Sequence, residues 1–336
     1  MLRNVVSNIE TGTSIKEEVI EETNAIIEAV NKYPLWKGDA KIMELVAIIY
    51  KELGDYKEAI NWYRKLPGAE KASYSLRAVE QLFNLTTKQT YRDYNAGITA
   101  VTLANSSIIK RQAEIDNIKK QAIIEMEAYI HQFNQFNIAM TTERGSLLGS
   151  AYKNLAIITL PDATVYKKNI LQASLSYKMA HEIYFNTNGK VYYYPFYNYH
   201  ILNAILGILA PESKTAGKQH HKEGIAKQLM VSAEVHAAEI DAINPDFWNK
   251  TAMSMQYLYE FISEKRESHL KGLKEKIFQN HMEARKVEGS VNKQNAIGEH
   301  VVFLKKGFEL ATPAQVEKYF INKKIALLDL LLKELA

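Results

Sequence analysis

The chain has 336 residues and a net charge of +4, with 47% hydrophobic and 24% charged residues, a balance typical of a folded globular protein. This net charge is too small to indicate nucleic-acid binding, which usually needs basic residues concentrated on one face. Because the sequence contains no cysteine, disulfides, thiolate metal sites and cysteine nucleophiles are excluded. Seven prolines and fifteen glycines are few for this length and favour a mostly helical chain.

The amino terminus and the apolar segments predict a cytoplasmic chain without membrane contact. Residues 1–14 lack an apolar run long enough for a signal peptide. No segment approaches the roughly 18 apolar residues that a membrane span requires. The most apolar segment, residues 325–335, is interrupted by Asp329, Lys333 and Glu334.

Residues 14–32 predict the first helix. Ser14 and Glu17 have the spacing of a capping box, and apolar residues recur on one face up to Lys32. A proline two residues later ends the segment.

Residues 39–68 contain the clearest pattern in the chain, two apolar-periodic segments separated by a Gly-Asp pair. Each segment repeats apolar residues three or four positions apart, which predicts two helices, and a Pro-Gly pair ends the second. Ala47 and Ala59 are small enough to let these helices cross closely, with tyrosines around the crossing. This spacing resembles a tetratricopeptide repeat (TPR), a helix–turn–helix unit of about 34 residues.

The segments after this pair continue the helical pattern. Residues 73–85 predict a helix, whereas the polar residues 86–94 predict a loop or a frayed helix end. Residues 96–140 contain little glycine and are too long for one ordinary helix. We expect two long helices there, separated by a break that the sequence does not place.

Residues 141–158 repeat the first-helix pattern, because Gly149 precedes the aromatic Tyr152 by three residues. The partner helix is expected at 169–185, where small residues recur, after an insertion around 160–162.

A third first-helix pattern occupies residues 246–262, with Trp248 and with the small Ala252 at the crossing. Residues 264–293 are charged and predict a solvated helix. The last helix, which ends at Leu335, is expected to seal the open end of the stack or to mediate self-association, since its apolar face would otherwise be exposed.

Three sequence strings occur in an order that resembles a known class of proteins. They are SYSLRAVEQLFNL at 73–85, TTERGSLLGSAYKNLAII at 141–158, and the 246–262 helix followed by residues 289–304. Together they resemble the TPR-containing regions of bacterial proteins with caspase-like (CHAT) protease or TRAFs-binding-type domains. The resemblance implies a conflict or signalling module whose helical part holds a partner or restrains an effector. Because caspase-like enzymes use a Cys–His dyad, a chain without cysteine is not itself that protease.

The first helices of repeat pairs commonly form a concave binding surface. This predicts a peptide groove in which Lys153 and Asn154 hold the backbone or a carboxylate of a partner. The alternative is an ordinary solvated helix surface. The predicted partner-binding residues are Lys41, Glu44, Lys51, Lys153, Asn154, Gln256 and Tyr257.

The histidines do not have the spacing of a metal site. His220 and His221 are adjacent, so one helix cannot direct both at one ion, and no His-Glu-x-x-His spacing occurs. The aromatic residues of 192–199 are interpreted as packing groups rather than as base-stacking groups. Glutamates interrupt the basic segments 214–227 and 265–293, which indicates mixed solvated faces. We expect no metal and no cofactor.

The sequence contains no phosphate loop, no dinucleotide-binding glycine pattern and no Gly-x-Ser-x-Gly elbow. We therefore expect a non-enzymatic protein–protein interaction module, a scaffold, adaptor or inhibitor subunit of a bacterial signalling or antiviral defence system. Its expected partner is a protein, such as a caspase-like effector protease. The alternative is a sensor that binds RNA or a nucleotide ligand through a basic face.

The predicted fold is all-α, a right-handed TPR-like α-solenoid of antiparallel helix pairs with a C-terminal capping helix. We expect an N-terminal helical region at 1–140 and a C-terminal one at 141–336, or one continuous solenoid. The sequence does not identify the partner, and it does not show whether binding activates or inhibits that partner.

Overall fold

The structure is a computed structural model that describes residues 16–33, 36, 38–66, 75–104, 107–136, 139–209, 219–243, 247–287 and 296–335. Within these residues the chain forms fourteen α-helices and no strand. The all-α class expected from the sequence is confirmed, and the arrangement is consistent with an α-solenoid. No helix in the described segments combines the length and the apolar character needed to cross a bilayer.

The helices are numbered in chain order as α1 (Lys16–Lys32), α2 (Ala40–Glu52), α3 (Tyr56–Arg64), α4 (Leu76–Leu103), α5 (Ile108–Gln135), α6 (Thr142–Ile158), α7 (Ala163–Asn188), α8 (Tyr193–Leu209), α9 (Gln219–Ile243), α10 (Phe247–Ser263), α11 (Glu267–Val287), α12 (Ala296–Phe308), α13 (Pro313–Lys318) and α14 (Ile321–Leu335). They belong to two compact units, the first with α1–α5 and the second with α6–α14.

In the first unit, α2 and α3 pack against each other where both helices carry small side chains. Ala47 and Ala59 are completely buried, and the rings of Tyr56 and Tyr63 lie in the same core. Gly54 makes the turn between the helices with a φ of +79°, a backbone conformation that favours glycine. The Gly-Asp pair and the small residues therefore lie where the sequence pattern places the turn and the crossing.

The helix α4 continues through residues 86–94, so the prediction of a loop or frayed end there is wrong. The hydroxyl of Thr86 donates to the carbonyl of Leu82 at 2.9 Å, and that of Thr87 donates to Phe83 at 3.0 Å. Because these polar groups are satisfied by the backbone of their own helix, both threonines are buried there. The first of the two expected long helices ends at Leu103 and the second begins at Ile108.

In the second unit, α6 and α7 are antiparallel and cross closely. Gly145 lies opposite Ala180, and Gly149 lies under the ring of Tyr177. The helix α7 begins at Ala163, immediately after the turn, so the predicted insertion does not delay the partner helix. Glycine at both positions removes the Cβ atoms that would keep the two backbones apart.

The helix α8 contacts α7, α9, α10 and α12. Its aromatic residues Tyr193, Phe196 and Tyr197 are buried, in agreement with their interpretation as packing groups. The helix α12 also contacts α6, although the five helices α7 to α11 lie between them in the sequence. The second unit is therefore not a simple succession of consecutive helix pairs.

The charged segment that follows α10 is partly a core element. Leu270 and Ile277 of α11 are completely buried, and Lys274 and His281 are buried beside them. The prediction of a solvated helix is therefore wrong for the face of α11 that packs against α10 and α14.

The helix α14 packs against α11 and α12 and buries Leu328 and Leu331. The ammonium group of Lys324 is completely buried and donates to the carbonyls of Ile262 at 2.6 Å and Glu264 at 3.1 Å. It satisfies acceptors that a helix leaves free at its C-terminal end. Because α14 buries its apolar face within the chain, that face no longer argues for self-association.

Some sequence predictions concern residues outside the described ranges, among them the capping box at Ser14, the Pro67-Gly68 stop and the first part of the basic segment 214–227.

The close crossing of α6 and α7 predicts a specific loss of stability. A Cβ at position 149 would lie 2.6 Å from ring carbons of Tyr177. That ring is completely buried and packs edge-on against Tyr194, so it cannot withdraw freely. We expect Gly149→Ala to lower the free energy of unfolding by about 1–3 kcal/mol in urea titrations.

The matched control is Gly207→Ala in α8, where an added Cβ meets no atom within 4 Å. This change should leave the stability unchanged or raise it by about 0.5–1 kcal/mol, because alanine restricts the unfolded chain. Equal effects of the two substitutions would contradict the close crossing.

Candidate functional site

The three predicted residues of α2 lie on its surface, and two of them already have a charged partner within the chain. Lys41 is exposed, and the half-buried Glu44 lies 3.8 Å from the guanidinium of Arg77. The ammonium of Lys51 pairs with Glu52 at 2.8 Å. The residue between them on the same face, Ile48, is buried, so these charges do not form one continuous open surface.

Lys153 does not lie on an exposed groove, and this part of the site prediction is corrected. Only 8% of the residue is exposed. Its ammonium donates to the side-chain oxygen of Asn198 at 3.2 Å and lies 5.0 Å from the ring centre of Phe303. The side chain points into the interior between α6, α8 and α12, while the neighbouring Asn154 is half-buried.

Burial changes the protonation of this interior cluster. The pKa of Lys153 is lowered to about 7, because desolvation outweighs the attraction of Glu299. The ring nitrogens of His300 lie 3.4 and 3.5 Å from the lysine ammonium. Burial and this positive charge hold the pKa of His300 well below its usual value. The cluster therefore contains a neutral histidine and an amine that loses its proton near neutral pH.

The other two predicted residues adjoin an open cleft between α10 and α11, which we call the α10–α11 cleft. Gln256 donates to Glu260 at 3.0 Å, and the ring of Tyr257 lies 5.2 Å from the ammonium of Lys276. Both of these neighbours line the cleft, which has a volume of about 690 Å³. Its lining residues are Tyr259, Glu260, Ser263, Glu264, Arg266, Ser268, His269, Gly272, Leu273 and Lys276.

One end of the cleft is a charged turn in which the carboxylate of Glu264 accepts several hydrogen bonds. This carboxylate accepts hydrogen bonds from the backbone N–H groups of Lys265 and Arg266, both at 2.9 Å. The guanidinium of Arg266 donates to it at 3.1 and 3.2 Å, and Nδ1 of His269 lies 3.2 Å away. The bonds from Arg266 lower the pKa of Glu264 to about 2, against the effect of burial. Because Lys324 holds the carbonyl of the same residue, the turn is fixed from both sides.

The middle of the cleft is open because of a glycine. A Cβ at Gly272 would meet no atom within 4 Å, so any side chain there would project into the free space. Leu273 lies beside it as a buried apolar base. A volume of this size with mixed polar, aromatic and apolar walls falls in the range of ligand and peptide sites.

Sequence reasoning missed most of the cleft residues, since 264–293 was interpreted as a solvated helix. The missed signal is the apolar spacing of Leu270, Leu273 and Ile277, which marks one buried face of α11. Gly272 stands out on the opposite, charged face, where a glycine otherwise costs helix stability.

No group of three potential metal-binding side chains occurs among the residues that the structure describes. His236 lies 3.1 Å from the hydroxyl of Tyr184 and 3.6 Å from the carboxylate of Glu239. The structure does not describe the side chains of His220, His221 and Glu223.

A comparison with known proteins adds no relative. No protein-family model matches the chain, and neither the curated proteins nor the solved structures gave a match.

The buried histidines of the second unit predict acid sensitivity. His281 is completely buried, and its ring nitrogens find no hydrogen-bond partner among the described residues. Burial, with a smaller contribution from Arg285, lowers its pKa to about 4. In the unfolded chain this pKa returns to about 6.5. Between these values the unfolded chain binds more protons, so the free energy of unfolding falls as the pH decreases.

Urea titrations at pH 7 and pH 5 measure this effect, which reaches about 1.4 kcal/mol per pH unit for one histidine. We expect His281→Leu to make the pH dependence shallower. His131→Leu removes an exposed histidine of α5 and controls for the loss of a histidine as such. Identical pH dependence in parent and His281→Leu would refute the interpretation.

Proposed function

We propose that this chain is a non-enzymatic protein-interaction module that holds a segment of a partner protein in the α10–α11 cleft. The observation that carries the proposal is an open space of about 690 Å³ on the packed helix pair α10 and α11. The charged turn at Glu264 fixes one end of this space, and Gly272 keeps its middle free. Sites on rigid helices suit a preorganised binding surface.

The architecture supports a TPR-like solenoid as the scaffold of this module. Small residues allow close helix crossings at Ala47 and Ala59 in the first unit and at Gly149 in the second. Antiparallel helix pairs of this kind commonly present their surface to a partner chain. The proposed right-handed stacking of the pairs rests on the TPR resemblance of the sequence.

The proposed biological setting rests on the resemblance to bacterial CHAT-associated and TRAFs-binding-type regions. In that setting the chain is a cytoplasmic scaffold, adaptor or inhibitor subunit in signalling or antiviral defence. The partner is then an effector protein, of which a caspase-like protease is one example. A hydrolytic activity that stays with the chain through purification would contradict the non-enzymatic proposal.

The cleft favours a peptide over a nucleic acid as its occupant. Its lining contains the acids Glu260 and Glu264 and the bases Arg266 and Lys276, and Arg266 is already bound to Glu264. The lining therefore has no surplus positive charge to hold phosphate groups. Affinity for RNA or a nucleotide would fall steeply with salt, whereas an interaction dominated by apolar contacts and neutral hydrogen bonds would change little.

Filling the cleft tests the proposal. We expect Gly272→Trp to reduce the recovery of the partner at least tenfold when tagged full-length chain is isolated from its native cells, because the indole occupies the binding space. Recovery is measured by quantitative mass spectrometry at low and high salt.

Gly207→Trp is the matched control, since this glycine also lies in a helix and also faces free space. It should leave recovery unchanged, and thermal unfolding of both variants reports on their folding. Equal recovery by folded Gly272→Trp and by the parent would refute binding in the cleft.

A further inference from the structure

The antiparallel hairpin of α4 and α5 is packed only at its base. Each helix has 28 residues and therefore spans about 42 Å. The buried residues of α4 lie between 78 and 90, and those of α5 lie between 122 and 133. The distal parts of both helices, 91–103 and 108–121, contain no buried residue. Arg92, near the start of this range, still contacts Gly54 and the ring of Tyr56. Beyond Asp93, the distal parts of α4 and α5 form a two-helix arm without buried side chains.

The end of this arm carries the most exposed large aliphatic side chains of the described residues. Leu103 is 81% exposed, Ile108 is 77% exposed and Ile109 is 85% exposed. Leu103 ends α4 and the two isoleucines begin α5, so all three project from the same end of the hairpin. We call these three residues the hairpin tip.

The sequence around the hairpin tip avoids charge. The sixteen residues from Tyr94 to Ile109 include no acidic, basic or histidine side chain, in a chain of which 24% is charged. The hydroxyl of Thr99 donates to the carbonyl of Asn95 at 2.9 Å, and that of Thr102 donates to Ile98 at 2.7 Å. Polar groups with internal partners can enter an apolar medium without losing hydrogen bonds.

Basic side chains follow directly behind the apolar end. Lys110 and Arg111 occupy the first turn of α5, and residues 110–120 contain four basic and two acidic residues. Lys110 is well exposed and only 4.0 Å at closest from Glu114, a weak contact at a solvated surface. An apolar end backed by a positive segment is complementary to a surface with an apolar interior and a negatively charged outer layer.

From this arrangement we propose that the hairpin tip inserts into the boundary between headgroups and acyl chains of a bilayer that contains anionic phospholipid. The tip consists of three side chains at the end of a two-helix hairpin. Two such ends from two copies of the chain would bury far less than the roughly 800 Å² per partner of a stable protein interface. A bilayer, in contrast, surrounds a projecting end on all sides and solvates Lys110 and Arg111 at its headgroups.

This inference departs from the expectation of a chain without membrane contact. It is compatible with the absence of a spanning helix in the described residues, since interfacial insertion buries only a few side chains. It also stands apart from the α10–α11 cleft, because the hairpin tip belongs to the first unit and the cleft to the second.

Flotation of the full-length chain with vesicles tests the proposal. We expect binding to vesicles of phosphatidylcholine with phosphatidylserine and weak binding to phosphatidylcholine alone. The double change Ile108→Asp and Ile109→Asp should lower the vesicle partition coefficient about tenfold or more, because charge must then enter the apolar layer. Replacing Lys110 and Arg111 with Gln should lower binding to the anionic vesicles about fivefold for each residue.

The matched control is Leu175→Asp, which places the same charge on an exposed leucine of α7 and should leave vesicle binding unchanged. The tip side chains are exposed, so their substitution should leave the thermal unfolding temperature unchanged. An Ile109→Trp variant reports insertion directly through a blue shift of its fluorescence and quenching by lipids brominated in their acyl chains.

Four results would overturn the proposal. They are absence of binding to anionic vesicles, binding that the double Asp variant retains, a tip tryptophan that stays unquenched on bound vesicles, and tip-dependent dimerisation or protein capture without lipid binding.

Discussion

The second unit depends on how closely α6 approaches α7. Two glycines, Gly145 and Gly149, let the backbone of α6 pass directly against Ala180 and the ring of Tyr177. Helices with ordinary side chains at their contact pack about 8–10 Å apart, and glycine removes the side chains that set this distance. The position of α7 in turn fixes α8, which supports α9, α10 and α12. The positions of the α10–α11 cleft walls therefore depend on the contact between α6 and α7, which requires that Gly145 and Gly149 have no side chain.

Buried cationic groups give the second unit its polar organisation. Lys324 is completely buried, yet its ammonium is held by two carbonyls, and desolvation lowers its pKa to about 8. The ammonium of Lys153 donates to the side-chain oxygen of Asn198 at 3.2 Å and lies 3.4 Å from the nearer ring nitrogen of the unprotonated His300. The first arrangement compensates the loss of water, whereas the second does so only in part. The charge of the interior cluster at Lys153 is thus sensitive to pH. The turn at the cleft, in contrast, is held in place by the hydrogen bonds of Lys324.

Features that depend on local periodicity could be predicted from the sequence, and features that depend on distant partners could not. The all-α class and the small residues at helix crossings follow from spacing within one or two turns. The threonines of α4 misled the prediction, because their hydroxyls satisfy a helix backbone as readily as they favour a turn. The burial of Lys153 depends on Asn198, which is 45 positions away, and that of Lys324 depends on Ile262, which is 62 positions away. No pattern in the neighbourhood of either lysine carries that information, so the exposed position predicted for Lys153 was wrong. The buried face of α11, in contrast, follows from its own apolar spacing and was overlooked.

The bond between Lys324 and the end of α10 also bears on the order of events during protein synthesis. Its donor emerges from the ribosome 60 residues after the carbonyl of Glu264 that it serves. A nascent chain can form α10 and α11 while these acceptors still face water. The polar end of the cleft acquires its final geometry only when α14 has been translated and docked. The recognition proposed for this cleft therefore requires the fully synthesised second unit.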